Sequence, residues 1–464
     1  MAVTGRAQQY KISDAVITAD RNGTLEMEVT FHIMEFTVFE DIEKPYITGR
    51  IAILDDKGLF DGFGFKGTEK LTLTVSATDS ELEARGLSFT HTFFMTSLLR
   101  KEKITDKSEM YVFSLIDEQA FIDSTKKISK SYRGKLEQIA SRICGSELGL
   151  NVDQSFLSPS VQDNVKVVIP YMSPLQAAKW LVNRATTENG SPFFLYSTLY
   201  DQTGEGNTIR LGNLDVMLSQ TPFNSRIPYI YSASATNVTE TLGPEKREMI
   251  VNGVYIADTE NTLNLVDEGA IGSRIMSKDT FNSSLLNTHH AVGDTIARLE
   301  QTGIIPVNTK QTVYDDKQVI VDDAVNPLYL DDMDARVVNT LTSFGTYGKF
   351  NSIHDVENTS MLKNKVRRLS INSLLYRNLI DVTIPGMAFF AALKDGGKSV
   401  SVGDLVRINF LVSNTEITNA NEDEALDKYL SGDYLILRAR NTYKGTQHHI
   451  TLTVTKFNTR PSDT

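Results

Sequence analysis

Apolar and polar residues alternate with period two along much of the first quarter of the chain. "KLTLTV" (70–75) alternates strictly, with Leu71, Leu73 and Val75 on one face and Lys70, Thr72 and Thr74 on the other. Successive side chains of a strand point to opposite faces, so such a run predicts a strand with one buried side. "LEMEVTFHIMEFTVFE" (25–40) is rich in β-branched and aromatic residues, and "RNGT" (21–24) before it is a hairpin signal, because Asn-Gly takes the positive φ angles of a tight turn. "HTFFMTSLL" (91–99) and "MYVFSLI" (110–116) follow, joined by a charged turn. The pattern predicts antiparallel β over 1–120, as a sandwich or barrel.

The period then changes. "GKLEQIASRICGSEL" (134–148) puts Leu136, Ile139, Ala140, Ile143 and Leu148 on one helical face. "SPLQAAKWLVNRATTE" (173–188) predicts a helix that Ser173 caps, with Pro174 first and Gln176 completing a capping box. Its buried side carries Leu175, Ala178, Leu181, Val182 and Ala185, with Trp180 nearby. Short strands return over 208–245. From 246 to 350 the pattern is weak, with a strand in "EMIVNGVYIAD" and a helix over 282–301. Residues 360–377 predict a basic amphipathic helix, with Leu362, Val366 and Leu369 inward and Lys363, Lys365, Arg367 and Arg368 outward. β patterning resumes after 380.

A weak repeat links the two ends. "GTEKLTLTV" (67–75) and "GDLVRINFLV" (403–412) both run glycine, acid, then alternating strand, and a strand pair with a polar turn follows each. The fold class is therefore mainly β with α+β insertions, organised as two tube-like antiparallel β-barrels. The expected division is a first barrel over 1–118, completed by 208–245, and an inserted α+β domain over 119–207. A poorly patterned region spans 246–359, and a helix with the second barrel spans 360–464.

Composition narrows the function classes. The chain has 464 residues and a net charge of −11, which argues against binding nucleic acid by phosphate neutralisation. Its one cysteine, Cys144, excludes an internal disulfide and every multi-cysteine zinc site. The polar N-terminus shows no secretory pattern. The longest apolar run, "GMAFFAAL" (386–393), is too short to span a bilayer.

Candidate chemistry is sparse. His448 and His449 fall on opposite faces of a predicted strand, so the pair does not converge on one metal. His289 and His290, on a helix, lie about 100° apart, without the i, i+3 or i, i+4 spacing of a metal pair. "GFGFKG" (62–67) matches a dinucleotide-binding glycine pattern, but a strand follows it where that site needs a helix. The aspartates of 314–334 lack the glycine turn of a calcium loop and read as a solvated surface. The expected catalytic, cofactor and metal sites are none, and the chain reads as a protein without enzymatic activity. The alternatives are a β-rich hydrolase with converging carboxylates and a carbohydrate-binding tail or adhesin module.

Three stretches resemble one family. "KISDAVITADRNG" with "EFTVFEDIEKPYITGRIAILDDKGLFDGFGFKGTEKLTLTV" (36–75) resembles the opening of T-even-type and cyanophage baseplate hubs. "IPYMSPLQAAKWLVNRA" (169–185) is similar to the capped helix of their inserted domain. "VGDLVRINF" with "SGDYLILRARNTYKGTQHHITLTVTKF" (431–457) resembles their closing strands. The family is the central hub of contractile-tail phage baseplates, related to the base of type VI secretion spikes. The resemblance implies a homotrimer whose six similar barrels adapt a threefold spike to a sixfold tail tube. It also implies a channel for tape measure protein and DNA. Expected partners are a separate spike protein, since the chain ends at Thr464 without a β-helix, and a tube or tube-initiator protein. No cofactor and no membrane insertion are expected. The implied location is the virion tail baseplate, after assembly in the host cytoplasm.

Overall fold

The structure is a computed structural model. It describes residues 10–20, 24–78, 88–158, 164–199, 208–232, 249–256, 262–267, 272–279, 285–304, 311–315, 318–322, 336–342, 354–355, 359–376, 379–386, 401–411, 426–427 and 430–456. The first strands are β1 (Tyr10–Asp20), β2 (Thr24–Glu28), β3 (Ile33–Asp41) and β4 (Thr48–Asp55), with a 3-10 turn at Thr30–His32. A short helix, α1 (Leu59–Phe63), leads into β5 (Glu69–Ala77), β6 (Ser88–Thr105) and β7 (Ser108–Asp117). They pair in the order β3-β4-β7-β6-β5-β1-β2, antiparallel throughout. The predicted alternation holds: Leu71, Leu73 and Val75 are buried, and Tyr111, Phe113 and Leu115 of β7 join them in one core.

The helical section has its own core. It runs α2 (Glu118–Thr125), β8 (Ser131–Gly134), α3 (Leu136–Leu148), β9 (Asn151–Asp153), β10 (Val165–Val168), α4 (Pro174–Val182), β11 (Phe193–Tyr196), β12 (Thr208–Asn213) and α5 (Leu214–Leu218). The predicted helical faces are the buried ones: Leu136, Ile139, Ala140 and Ile143 of α3 pack with Leu175, Ala178, Leu181 and Val182 of α4. The start of α4 departs from expectation. Ser173 makes no side-chain cap; the Leu175 N–H donates instead to Asp123 Oδ1 of α2 at 2.7 Å. A carboxylate from another helix does what the local capping box was expected to do. Of 208–245, read as completing the first β unit, 233–245 lie outside the described residues and Tyr229–Tyr231 pairs with Ile408–Phe410 in the second half. β12 pairs with β9 and β11, inside the helical section, because Ile209 and Leu211 belong to that core.

The remaining elements are β13 (Tyr229–Tyr231), β14 (Gly253–Ile256), α6 (Thr262–Asp267), β15 (Gly272–Asp279), β16 (Leu285–Ala291) and α7 (Val292–Gln301). They continue with β17 (Gln311–Asp315), β18 (Gln318–Asp322), β19 (Arg336–Thr342), β20 (His354–Asp355) and α8 (Thr359–Leu375). The chain then returns to β, in β21 (Leu379–Pro385), β22 (Leu405–Phe410), β23 (Gly432–Lys444) and β24 (Gln447–Thr455). The helix expected over 282–301 is half strand: β16 pairs with β15, and only Val292–Gln301 is helical. The start of the acidic run lies in a hairpin of Gln311–Asp315 with Gln318–Asp322; the rest of 314–334 and all of 387–393 lie outside the described residues.

Chain order and spatial order now expose the repeat. β3 to β7 lie as β3-β4-β7-β6-β5, and β14 with β21 to β24 lie as β14-β21-β24-β23-β22. The two sets match strand for strand, each pair antiparallel. Their glycine-acid turns match as well. Gly67 and Gly403 both take positive φ, +86° and +91°. Glu69 accepts from the Lys66, Gly67 and Thr68 N–H groups, and Asp404 accepts from the Ser401 N–H. The acid is needed to satisfy the turn's amides, which accounts for the shared motif.

The two halves are one sheet, mainly antiparallel, joined through β23. The first part of β23 pairs with β22 (Gly432↔Ile408 to Leu435↔Leu405). Further along the same edge, Arg438 to Lys444 pair with Asp41 to Glu35 of β3. Among the described residues no ladder closes either half into a barrel. In the second half β13 pairs parallel with β22 and meets residues 249–251, just ahead of β14, through Ile230 N–H to Met249 O at 3.0 Å and Val251 N–H to Ile230 O at 2.9 Å; in the first, Val29 N–H donates to Ala15 O of β1 at 2.8 Å.

Candidate assembly junction

The polar side chains of greatest structural consequence collect where the halves and the helical section meet. β3 and the turn that follows it supply two of them, Glu40 and Glu43, because β3 lies beside β23 and the chain then turns toward α4. Glu40 is fully buried there. Its carboxylate accepts from Ser401 Oγ and from Asn441 Nδ2, the latter at 3.0 Å. Burial pushes its pKa up, against the lowering pull of these bonds, a Leu199 amide and Arg210. Asn441 passes the network on, its Oδ1 lying 3.3 Å from His448 Nε2.

His448 is buried and stacked on Tyr443, rings 4.0 Å apart and 9° from parallel. Gly386 lies against the ring; a Cβ there would fall 2.2 Å from Nδ1. Burial, and secondarily the neighbouring His449, hold the imidazole well below its ordinary pKa of 6.5. The expected divergence of the pair is present. His448 lines up with buried Ile450, Leu452 and Val454, and His449 with half-buried Thr451 and Thr453. His290 is likewise buried, 2.9 Å from Ser370 Oγ, while His289 is exposed. That pair diverges because it is on a strand, not because of a helical offset.

The basic helix needs a further correction. Arg368 points inward and is buried, while Leu369 is 40% exposed. The Arg368 guanidinium holds Glu43 in a two-bond clasp, 3.0 and 3.1 Å to its two oxygens. It also donates to Phe193 O and lies 4.9 Å over the Phe194 ring. Asn372 donates to Glu43, and Lys179 of α4 donates to the Glu43 carbonyl. One carboxylate thus ties the β3–β4 turn, α4 and α8 together. Charge periodicity alone could not reveal this, because the partner is 325 residues away.

The "GFGFKG" stretch is the turn between α1 and β5, with no helix after it. Among the described residues no cluster of three His, Cys, Asp or Glu side chains is placed to hold a metal ion. Cys144 is buried, which pushes its thiol up to about 12. Among the described residues no helix is long and apolar enough to cross a membrane. Exposed apolar side chains concentrate on a few elements: Leu98, Leu99 and Ile104 on β6, Tyr255 and Ile256 on β14, and Leu25, Phe31 and Met34 around β2 and β3. The arrangement is one of buried clasps and exposed strand edges, which suits assembly.

No protein-family model matches the chain, and no curated protein matches it by sequence. Solved structures do. A tail protein from Neisseria meningitidis superposes with a TM-score of 0.51 at 12% identity, over 97% of both chains. The 43 kDa tail protein of prophage MuSo2 from Shewanella oneidensis gives 0.48 at 11%, over 97% of this chain and 100% of that one. An Escherichia coli component of the type VI secretion system, described as structurally similar to bacteriophage T4 tail proteins, gives 0.40 at 8%, over 98% and 79%. Along nearly its whole length, this chain has the fold of the Neisseria tail protein.

Proposed function

We propose that the chain is the structural central hub of a contractile phage-tail baseplate and has no catalytic activity. The observation that carries this reading is the duplicated five-strand order, β3-β4-β7-β6-β5 against β14-β21-β24-β23-β22. Three copies of a chain with two equivalent halves present six similar units, which can meet a threefold spike on one side and a sixfold tube on the other. The whole-chain likeness to a tail protein supports the fold on which this depends. The partners in this reading are a separate spike protein, a tube or tube-initiator protein, and tape measure protein and DNA passing through the channel. A net charge of −11 suits a channel that must not retain DNA. The hub is a virion component assembled in the host cytoplasm.

Light scattering with negative-stain electron microscopy tests the reading. The expected result is a mass three times that of the chain and a threefold ring with a six-lobed face. A chain that stays monomeric, alone and with its spike partner, overturns it.

A further inference from the structure

The repeat says more than that the halves are alike; it shows what fits an open edge. β23 outruns its neighbour β22, whose pairing stops at Leu435. A bulge follows, between Ile436 and Arg438, and the edge beyond it is filled by β3. β6, its counterpart, does the same. β5 pairing stops at Met95, a bulge follows between Met95 and Ser97, and β6 continues to Thr105. Among the described residues nothing pairs with that outer edge. The stretch 96–101 is exposed on both faces, Leu98 and Leu99 included, and Ile104 is 53% exposed.

The strand equivalent to β3 is β14. It pairs with β21 as β3 pairs with β4, and among the described residues its other edge carries no ladder beyond the bridge that 249–251, just ahead of it, makes with Ile230 of β13. Its Tyr255 and Ile256 are 65% and 53% exposed. Unpaired strands with apolar side chains are templates for pairing with another chain. Within one chain β14 and the β6 edge are not paired among the described residues, with β21, β24, β23, β3, β4 and β7 between them in the sheet.

We infer that β14 (Gly253–Ile256) of one copy adds antiparallel to the β6 edge (97–105) of a second copy. This repeats between chains the β3–β23 joint made within each chain. The contact is head-to-tail, so it propagates, and with the threefold rotation of a trimer it closes into a ring. β2 is the other open edge, but it has no counterpart in the second half, and its exposed Glu26 and Glu28 have no equivalents in the uncharged β14. The inference rests on the trimeric hub reading and names its contact.

Cysteine cross-linking tests it, because Cys144 is buried and silent. Lys101→Cys protein and Tyr255→Cys protein are mixed and oxidised, with Lys103→Cys as a second arm position. The expected result is a covalent dimer in the mixture and none from either protein alone. Leu98→Asp and Ile256→Asp should each weaken self-association by about tenfold or more with unchanged melting of the dissociated chain. A wild-type trimer without cross-links, and indifferent to both aspartates, overturns the joint while leaving the hub reading intact. Cross-links from the Lys101→Cys protein alone mean an arm-to-arm contact and also overturn it. A monomeric wild type removes both the joint and the hub reading.

Discussion

His448 shows how much of one residue can be read from the sequence and how much cannot. Its alternation with Ile450, Leu452 and Val454 is legible in the sequence and places it in the core. Its partners are not, since Asn441, Tyr443 and Gly386 reach it only through strand pairing. The depressed pKa gives a signed prediction. The folded His448 resists protonation, whereas the unfolded one titrates near 6.5, so stability is lost as pH falls below that value. Glu40, with its raised pKa, acts oppositely, binding a proton more readily in the folded state. Comparison with His448→Gln isolates the histidine. Urea midpoints at pH 7.5 and 5 should show wild type losing more stability than the variant, by up to about 1.4 kcal/mol per pH unit below 6.5. Gly386→Ala should cost about 2 kcal/mol from the overpacked ring, and most of that cost should vanish in a His448→Ala background, measured as a double-mutant cycle.

At the scale of elements, what is local was legible and what is distant was not. The strand alternation of β5 and the buried faces of α3 and α4 follow from periodicity. The cap of α4 does not, because the acceptor is Asp123, 52 residues away. Asp123→Ala should therefore cost ~1 kcal/mol, the usual worth of a helix cap, whereas Ser173→Ala, conventionally the capping residue, should cost much less in the same thermal melts. α8 teaches the same lesson about charge. Four basic residues in six (363–368) look like a solvated stripe, yet Arg368 turns inward to Glu43. Arg368→Met strands a half-buried carboxylate. It should cost about 2 kcal/mol, below the 3–5 of a fully dry pair because Glu43 keeps some water, with Glu43→Gln in the same background restoring part of the loss.

At the scale of the molecule, the two-part plan was visible only as a faint glycine-acid motif. Side-chain identities have diverged; what persists is the requirement that an acid satisfy the amides of a positive-φ turn ahead of a central strand. Sequence could not show that one strand serves both halves, since the β3–β23 pairing joins residues some 400 positions apart. Nor could it show that one hydrophobic core spans both β halves, beside a second confined to 128–211. Hydrogen exchange should report them as separate groups, with protected amides of β23 and β24 opening together with those of β3 and β4, and those of α3 and α4 opening on their own.

The shared strand also sets how such an assembly comes apart. In a ring of these chains every second seam is internal, held by β23 running on through both halves and braced by Arg438 with Asp41 and Lys444 with Glu35. The alternate seams lie between chains, with the same strand joint but no covalent connection behind it. Dilution, denaturant or tension should then open the ring only at alternate positions. The first fragments released would be whole chains and never single halves.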